Sequence, residues 1–272
     1  MSVVAGGRGA FTGTVLSASS CAGAGCNGAG CAQDWPRPSR DPLEVKKMVD
    51  SELDNPIWAS LCSRHRDIAQ CAGDTVRYPP EFGPFLGVAG THADVSEAIE
   101  ALLAPGESVY LLGVAPDSAA GWHLEAFRPL AQMICTAPLP VVEGPEIIEL
   151  SAAHRDDVLA LTALVYPHYF RSRTMELGRY FGIYQDGRLA AMIGERLGTD
   201  ASQEISAICT HPDFNGRGYA RRLTTMLTND TLVRRRTPFL HVSHENPRAK
   251  RLYEQLGYRH RRDIGFWSLR RR

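Results

Sequence analysis

Glu204-Ile-Ser-Ala-Ile-Cys-Thr-His-Pro212, continued by Asn215-Gly-Arg-Gly-Tyr-Ala220, is the stretch on which the fold turns. The first segment is a strand-like, partly β-branched run. The second is a glycine turn opening a segment in which Ala220, Leu223 and Leu227 recur at helical spacing. A strand, a loop and a helix N-terminus therefore follow one another. At such a junction several backbone N–H groups lack intrahelical partners, and the helix dipole favours negative charge, so a phosphate or pyrophosphate fits there. Gly216 and Gly218 let the backbone take positive φ and approach an anion closely. Arg217, Arg221 and Arg222 add positive charge. On its own the turn reads more readily as an ordinary glycine turn before a helix, so its neighbourhood decides.

Upstream, Tyr180–Tyr184 and Arg188–Ile193 flank Asp186-Gly187, a two-residue hairpin signal. A polar turn, residues 198–203, then leads to the strand Glu204–Thr210, which makes three antiparallel strands before the loop. Downstream, a helix from about Gly218 to Val233 leads into a strand Phe239–Ser243. Such a strand-helix-strand crossover is right-handed and places both strands in one sheet. A helix from about Pro247 to Leu256 and a strand Phe266–Leu269 complete an α/β domain with a mixed sheet over residues 141–272. Residues 46–140 alternate strand-like runs, Phe85–Ala89 and Ser108–Val114, with helical segments over Leu53–Gln70 and Val95–Leu103.

These residues resemble the GNAT superfamily of acyl-CoA-dependent N-acyltransferases. The family's phosphate loop reads Gln or Arg, two residues, Gly, one residue, then Gly or Ala. Asn215, Gly218 and Ala220 occupy those positions, with Asn215 the departure. Asn246, Ala249, Leu252, Tyr253, Gly257 and Tyr258 fit the family's closing signature. The wording around both motifs is most similar to the FR47-like and glycine-N-acyltransferase-like branch, and the similarity runs upstream to about Leu53.

The resemblance implies a GNAT fold for the C-terminal half and a degenerate copy of it in residues 46–140 that completes the substrate cleft. It implies acetyl-CoA or another short acyl-CoA as co-substrate. The loop residues Asn215, Gly216, Arg217, Gly218, Tyr219 and Ala220 would hold the pyrophosphate. Ile208, Cys209 and Thr210 would offer an unpaired strand edge to the amides of pantetheine. Asn246 would order the cofactor or the cleft, since its amide both donates and accepts.

Acyl transfer to a primary amine needs a neutral amine and a proton for the departing thiolate. Glu204 shares a face with Ser206, Ile208 and Thr210 by the two-residue strand period. Its spacing to Gly218 resembles that of the family's general-base glutamate, which makes it the expected base, with Glu195 as a second carboxylate. Tyr253 stands where the family protonates the thiolate, and a phenol with pKa near 10 suits that task. Both residues also admit plain structural roles. Cys209 and His211 are not read as nucleophile and base, nor His241 and His244 as metal ligands, and no metal is expected. The acceptor amine, small molecule or peptide, carries no transferable motif. An acyl-CoA-binding sensor or interaction module without chemistry is the alternative.

Composition agrees. The chain has 272 residues, 44% hydrophobic, enough to bury a sizeable core. No apolar run reaches the roughly 18 residues of a membrane span. Formal net charge is zero, yet residues 211–272 hold 15 Lys+Arg against 5 Asp+Glu. That asymmetry suits a phosphorylated ligand better than nucleic acid, for which no motif is present. Residues 1–45, rich in Gly, Ala and Ser and carrying Cys21, Cys26 and Cys31, read as a disordered extension. Cys62, Cys71, Cys135 and Cys209 suit a reduced, cytoplasmic interior. A monomer or homodimer is expected.

Overall fold

The computed structural model describes residues 51–93, 95–117 and 121–271; the expected extension with its three cysteines lies outside them. In chain order come α1 (Pro56–Cys62), β1 (Gln70–Ala72), β2 (Thr75–Arg77), β3 (Leu86–Val88), α2 (Ser96–Leu102), β4 (Ser108–Leu112), β5 (Trp122–Ala126) and β6 (Leu130–Ile134). The C-terminal half adds β7 (Ile148–Leu150), α3 (Arg155–Val165), β8 (Tyr180–Gln185), β9 (Arg188–Gly198), β10 (Ser202–Thr210), α4 (Tyr219–Val233), β11 (Thr237–Ser243), α5 (Pro247–Leu256), β12 (Arg259–Ile264) and β13 (Phe266–Arg271). None of these helices is long and apolar enough to cross a membrane.

A seven-stranded mixed sheet runs in the order β12-β6-β11-β10-β9-β8-β7. Only β10 and β11 pair in parallel. The β8–β9 turn has φ of 53° at Asp186 and 73° at Gly187, the doubly positive geometry that a two-residue hairpin turn needs. Helix α4 is the crossover between β10 and β11. Its inner face buries Tyr219, Leu223 and Leu227 with Thr224, Thr228 and Thr231, so threonine methyls supply part of the contact with the sheet.

The two halves exchange strands. β6, from before residue 140, inserts between β11 and β12, and the C-terminal β13 inserts between β4 and β5. They also share a core, in which Leu53, Ile57, Trp58 and Leu61 pack with Leu177, Leu197, Phe239 and Ile264. β12, Arg-His-Arg-Arg-Asp-Ile, has no apolar alternation to announce it. It is one of the sheet's two edge strands, where charged side chains keep an unpaired edge from recruiting other chains.

The helix expected over Leu53–Gln70 is shorter. α1 ends at Cys62, a 3₁₀ turn occupies Arg66–Ile68, and β1 begins at Gln70. His65 is drawn inward: Nδ1 meets Tyr78 Oη at 2.7 Å and Ser60 Oγ at 3.0 Å, while Nε2 meets the Leu177 carbonyl at 2.9 Å. The carbonyl can only accept, so Nε2 carries the proton and Nδ1 accepts. Burial, helped by the Arg64 charge and opposed by the Leu177 bond, lowers the His65 pKa to about 4. The unfolded chain takes up this proton near pH 6.5 and the folded chain only near pH 4. Stability is therefore full above pH 6.5 and falls by about 3 kcal/mol as pH drops toward 4. Thermal unfolding across that range should show the loss, and His65→Gln should flatten it; a wild-type Tm constant from pH 7 to 4.5 contradicts it.

Candidate functional site

β10 and β11 pair at only three positions, Ser202↔Thr237, Gln203↔Pro238 and Glu204↔Phe239. Beyond them β10 stays with β9 as far as Thr210↔Ala191, while β11 follows β6 to Ser243↔Leu130. The two strands diverge and leave facing edges without ladder partners. A cavity of 640 Å3 occupies this V. Glu204 to Cys209 and Leu240 to Ser243 form its strand walls, joined by Asn246 just before α5 and by Ala249 and Tyr253 on it. Phe85, Leu112 and Phe127 belong to the N-terminal half.

The strand period expected past Glu204 does not hold. Ser206 opposes Gly194 and Cys209 opposes Met192, so β10 carries one extra residue there. Ala207, with φ of 51°, marks this bulge. Cys209 is thereby in phase with Ser206, and Ile208 and Thr210 turn to the other face. Cys209 sits in one apolar cluster with Met192, Tyr180 and Leu189, and burial pushes its thiol up to about 12. A thiol so protonated is no nucleophile at neutral pH.

The glycine turn has the conformation an anion cradle needs. Gly216 and Gly218 have φ of 81° and 78°, and a Cβ built on either would meet nothing within 4 Å. Arg222 N–H donates to Gly218 O at 3.0 Å as the first backbone bond of α4, which leaves the amides of Tyr219, Ala220 and Arg221 ahead of it. Asn215, Gly216 and Arg217 are exposed, and the Arg188 and Arg217 guanidinium groups lie over the buried Phe214 ring, each at 4.9 Å. Of the three arginines expected to add charge here, Arg222 is committed elsewhere. It donates to the carbonyls of Pro145 and Val142 and straps the segment joining the two halves.

Asn246 caps α5, its Oδ1 accepting from Ala249 N–H at 3.0 Å, and Gly257 ends that helix at φ 100°. Tyr253, about two helical turns on from the cap, is buried and lines the cavity. Burial pushes its phenol above the ordinary range, with Cys209 and Tyr166 adding to the effect.

Glu204 differs most from expectation. Its carboxylate is sealed, with Arg196 Nε and Nη2 each donating at 2.8 Å, Leu197 N–H at 3.3 Å and His241 Nδ1 at 2.7 Å. Burial alone raises its pKa, but the Arg196 charge and bonds and then His241 outweigh that and hold the carboxyl well below the usual range. A carboxylate so stabilised is a poor direct base. His241 is held by the same network. Gln132 donates from Nε2 to the Leu53 carbonyl and to His241 Nε2, while its Oε1 accepts from Arg261. His241 Nε2 must then accept, which places its proton on Nδ1, facing Glu204. Glu195, the second carboxylate considered, is paired with Arg179.

The FR47-like protein family matches residues 180–267, from β8 through the V and the glycine turn into β13. A solved structure from Novosphingobium aromaticivorans, assigned to the GNAT family of acetyltransferases, is 33% identical. That match covers 81% of this chain and 98% of the other, with a TM-score of 0.73. The chain belongs to the GNAT family. More distant GNAT-fold structures include a GCN5-related N-acetyltransferase from Kribbella flavida, at 18% identity and TM-score 0.53 over 77% of this chain and 92% of that one. Another is a GCN5-related N-acetyltransferase-like protein from Streptococcus suis, at 14% and 0.50 over 83% and 99%. These two share the fold. No protein of curated function matches the chain in sequence. GNAT acetyltransferases use acetyl-CoA, and the open glycine cradle and the unladdered β10 edge are compatible with a pyrophosphate and an amide-bearing chain.

Proposed function

We propose that the protein is an N-acetyltransferase that moves an acetyl or other short acyl group from acyl-CoA to a primary amine by direct attack. The divergence of β10 from β11 carries this reading, because it leaves strand edge free beside a cavity that also reaches the Tyr253 ring. Asn215 to Ala220 hold the pyrophosphate on backbone amides, and the Ile208–Thr210 edge pairs with the pantetheine amides. The amine nitrogen attacks the thioester carbonyl, the C–S bond breaks, and Tyr253 gives its phenolic proton to the departing sulfur. Glu204 stays an anion that fixes Arg196 and His241. One ammonium proton leaves to water at the open mouth of the cleft before attack, and the second N–H proton, released as the amide forms, returns through water to the Tyr253 phenolate.

Binding is tested by thermal shift. Acetyl-CoA at 100 times its Kd stabilises the folded state by about 2.7 kcal/mol, a rise in Tm of about 5–10 °C for a chain of this size. Gly218→Val, which forces a branched side chain onto a φ of 78°, should abolish the rise. No rise with any acyl-CoA overturns the proposal. The sealed Glu204 is the one observation favouring a binding module without turnover, and a thermal shift without thiol release for any amine would decide for that module.

A further inference from the structure

The cavity wall opposite the V is aromatic. Tyr169, from the segment after α3, is its hub, with ring centroids 5.5 Å from Tyr166, 6.0 Å from Phe85 and 6.1 Å from Phe266. Phe127 continues the wall, 5.3 Å from Phe266. All five rings line the cavity. Phe127 is 39% exposed, so a large apolar face stands open at the mouth. Burial pushes the Tyr169 phenol up to about 12, with Tyr166 and Tyr110 adding to it, and raises Tyr166 as well. The wall therefore stays uncharged at any working pH.

Charge in the lining is balanced. Arg196 and Glu204 neutralise each other in a closed pair. Glu245, the other carboxylate lining the cavity, faces Arg128 at 3.6 Å at the mouth. An oligocation such as a polyamine or a lysine-rich tail finds no surplus of negative charge, whereas an aromatic or bulky apolar body finds a matching wall.

We infer that the acceptor is a primary monoamine carried on an aromatic or bulky apolar body, seated against Phe85, Phe127, Tyr166, Tyr169 and Phe266. The inference rests on the N-acetyltransferase reading above. Loss of a filled apolar contact costs an acceptor roughly 10- to 200-fold in kcat/KM.

The test measures thiol release from acetyl-CoA with phenylethylamine, phenylalanine, spermidine and a lysine-rich peptide, alongside the acetyl-CoA thermal shift. The aromatic amines should exceed spermidine and the peptide by about 100-fold in kcat/KM, and the order of phenylethylamine and phenylalanine tells whether Arg128 favours a carboxylate beside the amine. Phe127→Ala, at an exposed position that leaves the core intact, should raise KM for the aromatic amine about tenfold or more with the acetyl-CoA shift unchanged. A preference for spermidine or the peptide, or an unaltered KM in Phe127→Ala, overturns the inference while leaving the transferase reading in place. Absence of the acetyl-CoA shift in the wild type overturns both.

Discussion

Glu204→Gln lowers folding stability by about 3–5 kcal/mol, the usual cost of breaking a buried pair from one side. Glu204 is 1% exposed, and its two oxygens hold Arg196 and His241. Removing the charge leaves the Arg196 guanidinium buried without a counter-ion and turns one oxygen acceptor into an amide donor facing other donors. In thermal unfolding the loss corresponds to a Tm lower by about 6–20 °C. Arg196→Met destabilises comparably, and Glu204→Leu with Arg196→Met recovers much of the loss, because no lone charge remains. The sign with pH is fixed by the depressed carboxyl. Its contribution is present above the unfolded value near 4.3 and is lost as pH falls below it toward the folded value, so wild type and Glu204→Gln converge only in strong acid. Kinetics separate this role from that of a base. With water taking the ammonium proton, the acid limb of kcat/KM follows the pKa of whichever amine is supplied, and two acceptors of different pKa give two different limbs. A Glu204→Gln protein of unchanged Tm that has lost its acid limb would restore Glu204 as the base.

What the sequence disclosed and what it hid divide along the range of the interactions. The Asp186-Gly187 turn, the glycine loop into α4 and the helix from about Pro247 to Leu256 are local signals, carried by residues close to one another in the chain. All are found where the residues place them. The exchange of β6 and β13 between the halves is a non-local pairing, and nothing in Leu130–Ile134 says which neighbours it will find. β12 hides because its charges suit an edge. The site was misread in the same way. One bulge at Ala207 reverses the phase of the strand beyond it, and Arg196 and Gln132, which decide the states of Glu204 and His241, arrive from other strands. Their types alone carry no signal of the encounter.

Tyr253→Phe lowers kcat by about 10²- to 10³-fold, within the usual range for losing a positioned proton donor, with KM for acetyl-CoA and Tm nearly unchanged. Tyr253 and Tyr258 lie five positions apart around the end of α5, and they differ in what holds their hydroxyls. Tyr258 Oη bonds Thr228 Oγ1 at 2.7 Å in the core. No protein group among the described residues bonds the Tyr253 hydroxyl, although the residue lines the cavity beside Cys209 and Ala249. Its ring packs and, in the proposed reaction, its hydroxyl is free to donate, so Phe preserves the packing and removes the proton. Tyr258→Phe is the matched control, expected to lower folding stability through the lost Thr228 bond by about 1 kcal/mol while leaving kcat in place. Burial lifts the Tyr253 phenol above its ordinary pKa of 10, which makes it a weaker acid than an exposed tyrosine but keeps it protonated, and able to donate, up to and beyond pH 10. The wild-type kcat should accordingly show no alkaline fall below about pH 10 from this group. Equal kcat values for Tyr253→Phe and wild type would assign the ring to packing alone and leave the thiolate to be protonated by water.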